Sequence, residues 1–145
     1  MGTTNFDAVA AATFTGAVVG NVTGNVTGNL TGNVTGNVSG EVKNAVQTLA
    51  ASGAITLNSG LVMLAHDSTV IAATLDAPAA GDELFIVNNS ASGTAAHTVT
   101  LPAGVTWDGT NDVATFNAPG EALHVIALSA TRWLILENIG TVAFS

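Results

Sequence analysis

Cysteine is absent from this 145-residue chain. Disulfides, zinc–thiolate sites and a thiol nucleophile are therefore excluded. Basic charge is nearly absent too: Lys43 and Arg132 are the only strong cations against ten acidic residues, for a net charge of −8. Holding a phosphate backbone takes several Lys or Arg contacts, so no nucleic-acid partner is expected. An anionic membrane surface is unfavourable for the same reason. No apolar run approaches the roughly 18 residues that mark a transmembrane helix, so no membrane insertion is expected. Met1–Asp7 shows neither the basic nor the apolar region of a signal peptide. Phe6 stands where a myristoylation motif starting at Gly2 needs Ser or Thr. Charged residues make up only 8% of the chain and hydrophobic ones 48%; ordinary soluble domains are about 25% charged. A chain with so little charge to cover itself is expected to place part of its surface against other protein.

What is abundant is glycine, and it is periodic. From Phe14 to Val42 the chain reads Phe-Thr-Gly-Ala-Val-Val, then Gly-Asn-Val-Thr repeatedly, closing with Gly-Asn-Val-Ser-Gly-Glu-Val, so that glycine falls at Gly16, Gly20, Gly24, Gly28, Gly32, Gly36 and Gly40. Midway between them fall Val18, Val22, Val26, Leu30, Val34 and Val38. Fixed short periods signal repetitive architecture. Four is a multiple of two, so in an extended strand one face reads Val-Gly-Val-Gly and the other Asn-Thr-Asn-Thr. A helix is disfavoured by a glycine in every turn, at about 1 kcal/mol each against Ala. Collagen needs glycine at every third place. A flexible linker has no need of an apolar residue locked at every fourth place. A lone ribbon would leave its apolar edge uncovered and its backbone unpaired. Several copies wound about one axis, valines inward and glycines allowing close approach, solve both problems. Fully extended, this stretch spans roughly 95 Å. The Asn-x-Thr/Ser matches at Asn21, Asn25, Asn29, Asn33 and Asn37 read as by-products of the repeat, and Asn88 adds one more.

The expected organisation is an N-terminal anchor segment (1–13), a repeat stalk (14–40), a helical collar (41–53) and a β head (54–145). In the anchor and at its junction with the stalk, Phe6 and Phe14 are the large apolar side chains available to grip a partner. In the collar, Val42, Ala45, Val46 and Leu49 follow helical spacing. Ser39 or Gly40 can cap its start and Gly53 its end, and Glu41 suits the first turn. Three such helices around an axis would bury Val42, Val46 and Leu49, continuing the oligomer interface of Val18, Val22, Val26, Leu30, Val34 and Val38.

The head is expected to be all-β, a sandwich or barrel, because short apolar runs alternate with turn residues. The expected strands are Ile55–Leu57, Leu61–Ala65, Thr69–Leu75, Glu83–Asn88, His97–Leu101, Val113–Asn117, Leu123–Leu128, Trp133–Asn138 and Thr141–Phe144. His97–Leu101 alternates and should have one wet face. Leu84–Val87 and Trp133–Leu136 are nearly continuous in apolar residues. Such strands are buried on both faces, or turn one face to a neighbouring subunit.

Candidate chemistry is sparse, and neither a catalytic set nor a cofactor or metal site is assigned. His66, His97 and His124 have no ligand spacing, so zinc would require them to converge in space. Asp108–Asp112 is oxygen-rich but lacks the ligand series of a calcium loop; a polar turn explains it. No Gly-x-Ser-x-Gly elbow is present. A two-carboxylate glycosidase would need acids brought together in space, and Asp82-Glu83 reads as a solvated turn. Trp133 reads as core. Trp107, flanked by Pro102 and Gly104 and followed by a turn, reads as a possible exposed contact.

The Gly-Asn-Val-Thr tract resembles those of structural proteins of tailed bacteriophages, such as cyanophages. His97-Thr-Val-Thr-Leu-Pro-Ala-Gly-Val-Thr-Trp-Asp-Gly-Thr-Asn111 and Ser129-Ala-Thr-Arg-Trp-Leu-Ile-Leu-Glu-Asn138 resemble the heads carried on such stalks. The resemblance implies a homotrimeric, non-enzymatic virion protein with an intertwined β stalk. The first expectation is a capsid decoration, or cement, protein on the outer capsid surface, with the major capsid protein as partner. The alternative is a short tail fibre or spike, docked on a tail protein and binding a host glycan. Trp107, His97 and residues 88–96 or 108–112 would then lie at its exposed tip.

Overall fold

The computed structural model describes residues 35, 37–41, 43–56, 60–91 and 96–145. Phe6, Phe14, Val18, Val22, Val26, Leu30, Val34 and Val42 lie outside the described residues, and the anchor and most of the stalk with them. The compact unit described below runs from Gly40 to Ser145.

It is all-β. Its strands are β1 (Val46–Leu49), β2 (Gly53–Ile55), β3 (Gly60–Leu64), β4 (Ala72–Leu75), β5 (Glu83–Asn88), β6 (His97–Thr100), β7 (Val113–Phe116), β8 (Ala122–Ser129), β9 (Arg132–Ile139) and β10 (Ala143–Phe144). They form two five-stranded mixed sheets, ordered β1-β3-β5-β8-β9 and β10-β7-β6-β4-β2. We call these the first and the second sheet. From β1 to β6 the chain alternates between them, and each new strand lies parallel to the previous one in its own sheet. Parallel neighbours need a long crossover, and here the crossover is the strand in the opposite sheet. The last four strands reverse this course. β7 runs antiparallel to β6 and β8 to β5, while β9 and β10 add to their outer edges.

One core serves both sheets. Val62, Leu64, Leu84, Ile86, Leu123 and Val125 come from the first, and Ala73, Leu75, Val99, Ala114 and Phe116 from the second. Trp107 and Trp133 complete it at one end, their rings 6.1 Å apart. Each fully buried Leu, Ile, Val or Phe side chain contributes about 1.5–3 kcal/mol.

The helical collar is not formed: no helix occurs among the described residues, and 46–49 is strand. Val46-Gln-Thr-Leu49 also carries a period of two, and its exposure alternates accordingly. Pairing decides the outcome. The Leu61 amide donates to the Ala45 carbonyl at 2.9 Å and the Ala65 amide to Leu49 at 2.8 Å. The Gln47 side chain then ties β1 to β2, donating to the Ala54 carbonyl at 3.1 Å and accepting from the Thr56 amide at 2.9 Å. Tertiary pairing thus overrides a weak helical preference. Leu49 packs on the core, whereas Val46 is 57% exposed.

The turn from β9 to β10 is sharply constrained. Gly140 and Thr141 both have left-handed backbones, with φ of 77° and 72°. A Cβ on Gly140 would stand 2.9 Å from Cγ of Glu121, a buried residue. Gly140→Ala is expected to cost about 1–3 kcal/mol from strain and contact together. Gly104→Ala, where φ is 84° and the space is open, should cost less. Thermal denaturation of the two variants at one protein concentration checks the difference.

Candidate functional site

Strand alternation sends every second side chain of the first sheet outward. The register lines these into rows. Val46, Leu61, Phe85, His124 and Glu137 form one row across the five strands. Thr48, Met63, Val87, Ala122 and Ile139 form the next. Glu83, Ile126 and Leu134 form a third. The face is therefore largely apolar. Leu128 and Leu136 add exposed side chains at 52% and 49%.

The second sheet is built differently. Its outward rows read Ala72, Thr98, Thr115, Ala143 and Ala54, Thr74, with Thr100 beside Thr74 and Val113. Threonine and alanine dominate, as the alternation of His97–Leu101 predicts for a wet face. The exterior of the second sheet is thus more polar than that of the first.

A groove of about 640 Å³ crosses the apolar face, lined by Asn44, Val46, Gly60, Leu61, Gly81, Glu83, Phe85 and His124. His124 Nε2 bonds Glu83 Oε1 at 2.6 Å, and the imidazole tilts against Phe85 with ring centroids 5.7 Å apart. Two of its polar side chains, Glu83 and His124, thus bond each other. The sequence signal for this face is the unbroken apolar run Leu84–Val87. The Glu83–His124 pair carries no such signal, because its members are joined only by β5–β8 register.

The other histidines have structural duties. His66 Nδ1 accepts the amides of Ser68 at 3.2 Å and Thr69 at 3.0 Å. His97 is buried, and its Nδ1 accepts the Ile71 amide at 3.0 Å. Its Nε2 lies 3.0 Å from Ser90 Oγ, which itself donates to the His66 carbonyl at 2.8 Å. The partners assign the ring proton: Nδ1 accepts, so Nε2 carries hydrogen and donates to Ser90. A serine nucleophile needs the reverse, a bare Nε2 facing the hydroxyl and an acid on Nδ1–H. Ser90 and His97 are therefore a buried hydrogen-bond chain. Burial holds the His97 pKa below the ordinary histidine value, against a weaker upward pull from the His66 backbone.

Asp108 turns its carboxylate on its own loop. Oδ1 accepts the amides of Thr110 at 2.9 Å and Asn111 at 2.8 Å, and Oδ2 accepts Asn111 Nδ2 at 2.8 Å. The Asn111 amide, followed by the other donors of the loop, lowers its pKa. Among the described residues, no group of three or more His, Asp or Glu side chains is placed to hold a metal ion. Asp82 likewise serves its turn, accepting the Ala79 amide at 2.8 Å.

Trp107 corrects the expectation of an exposed contact: it is 0% exposed. Its loop folds back, with the Thr106 carbonyl accepting the Trp133 amide at 2.9 Å and the Trp107 amide donating to Asn111 at 2.8 Å. His97 is likewise removed from any exposed tip. Val38 is exposed, and Val46 and Leu49 stand on opposite faces of β1 instead of sharing one helical stripe.

A scan against protein-family models and a search of curated proteins found no match to this chain.

Proposed function

We propose that this protein is a non-enzymatic virion structural protein: a homotrimeric decoration, or cement, protein that braces an assembled phage shell from outside. The reading combines the resemblance of the repeat tract and head to tailed-phage proteins with one structural observation, the apolar outer face of the first sheet. A protein that works alone in water has no use for such a face, whereas one that works in an assembly does. In this reading the repeats wind into an intertwined trimeric stalk carrying three heads, and the major capsid protein is the partner. Many copies that bind only the assembled shell stabilise it by mass action. The charge poverty of the chain fits a surface built for protein contacts, and the histidines, committed to hydrogen bonds, fit a structural part.

Antibody labelling of purified phage particles, viewed by electron microscopy, tests the assignment. The expected result is label distributed regularly over the capsids. Label confined to the tail would replace this reading with the short tail fibre, and a glycan-binding assay would come next. Particles without label would remove the virion assignment.

A further inference from the structure

We propose that the outer face of the first sheet is where copies of this chain pack on one another, so that heads as well as repeats assemble around one axis. This rests on the homotrimer reading above. It extends the interface to residues outside the repeat: Leu61, Met63, Phe85, Val87 and Ile126.

The occupant follows from three observations. First, only one of the two sheets has an apolar exterior, so the requirement for a cover is local. Five strands about 4.8 Å apart and about five residues long give a flat area of roughly 400 Å². A standard interface takes about 800 Å² per partner. The face alone is thus too small for a tight complex, and suits a contact reinforced by a second one between the same partners. Second, the sequence supplies that second contact next door. The repeat ends at Gly40 and β1 begins at Val46; a stretch of that length reaches at most about 20 Å. Copies joined through their repeats would present their first sheets to one another at about millimolar effective concentration. Third, the face suits a partner with the same charge. Its acids are Glu83, already bonded to His124, and Glu137 on the edge strand β9. The row of Thr48, Met63, Val87, Ala122 and Ile139 carries no charge to repel an identical surface. Under threefold symmetry, three such faces enclose a triangular prism. They would be covered as soon as the trimer forms, before any capsid is available.

Because the chain has no cysteine, single thiols can probe this directly in the full-length protein. Val87 lies on the apolar face and Thr98 on the threonine face, and both are half-buried in the single chain. Light scattering first gives the mass. At three chains per particle, Val87→Cys is expected to react with a soluble maleimide about tenfold or more slowly than Thr98→Cys. Over an exposure long enough for the slower thiol to react, a short bismaleimide should join copies through Val87→Cys and not through Thr98→Cys. Met63→Cys gives the same comparison if Val87→Cys does not fold. A trimer whose Val87→Cys and Thr98→Cys react equally fast overturns this inference and leaves the homotrimer standing. Protection of Val87→Cys only on the phage shell also overturns it, assigning the face to a different protein. A monomeric chain overturns the homotrimer reading and the inference together.

Discussion

Trp107→Ala is expected to destabilise the folded unit by about 3–5 kcal/mol. That is a large part of the 5–15 kcal/mol by which domains are usually stable. The indole is fully enclosed and lies against Trp133. Its removal would leave a void between the 101–112 loop and the end of both sheets. The loop cannot easily close on the void, because it is tied down on both sides. The Trp133 amide holds Thr106, the Thr106 amide donates to the Thr131 carbonyl at 3.0 Å, and the Val105 amide donates to Pro102 at 3.0 Å. A countervailing term is visible too. The indole nitrogens of Trp107 and Trp133 are buried with no hydrogen-bond partner, and an orphaned buried donor costs about 1–3 kcal/mol. Trp107→Phe keeps most of the ring and removes that donor, so it should cost well under half as much as Trp107→Ala. Denaturant unfolding of the two variants at one protein concentration gives both numbers. A cost below about 1 kcal/mol for Trp107→Ala would contradict the core assignment and restore the exposed-contact reading.

Trp107 also shows where a sequence is silent. Pro102, Gly104 and the Asp108-Gly109 turn mark a loop correctly, and loops are usually wet. Whether a loop folds inward depends on what receives it, here the first residues of β9. The same limit explains β1. Val42, Ala45, Val46 and Leu49 fit a helix, while Val46-Gln-Thr-Leu49 fits a strand equally well, and only the free edge of β3 chooses between them. What can be read is local. β5 spans the residues its apolar run predicts, and β6 and β7 fall within one residue of theirs. Of the run Leu84–Val87, Leu84 and Ile86 are buried in the core while Phe85 and Val87 stay half-buried on the outer face. The alternation of β6 announces a wet face on the other sheet. Partners at long range cannot be read in this way. Ile71 and His97, or Glu83 and His124, meet because the chain winds between two sheets, and nothing in their spacing encodes that path.

Acid is expected to weaken the unit through His97, in a window of its own. The folded-state pKa lies below the ordinary value of 6.5 because burial disfavours the imidazolium. The unfolded chain therefore binds the proton more readily. Stability is complete above about pH 6.5 and falls as pH drops toward the folded-state value, by up to about 1.4 kcal/mol per pH unit. Protonation would also place a second hydrogen on the imidazole, at Nδ1. That atom is the acceptor for the Ile71 amide at 3.0 Å, so the bond that docks the strand-entry segment at Ile71 onto β6 would be lost. Asp108 has the opposite chemistry and a separate range. Its lowered pKa stabilises the fold above the ordinary aspartate value of 3.8 and ceases to do so only as pH falls below it. Between about pH 6.5 and 5 the histidine should therefore dominate over Asp108. His97→Gln separates the two effects of the ring. Unless its amide reproduces the acceptor, the variant should be weaker at pH 7.5 by about 1–3 kcal/mol, because the Ile71 amide is left unpaired. Its stability should then change much less between pH 6.5 and 5 than that of the wild type. Urea unfolding at fixed protein concentration across this range measures both. A wild-type curve that is flat between pH 6.5 and 5 would show that His97 is not the buried neutral acceptor that holds Ile71.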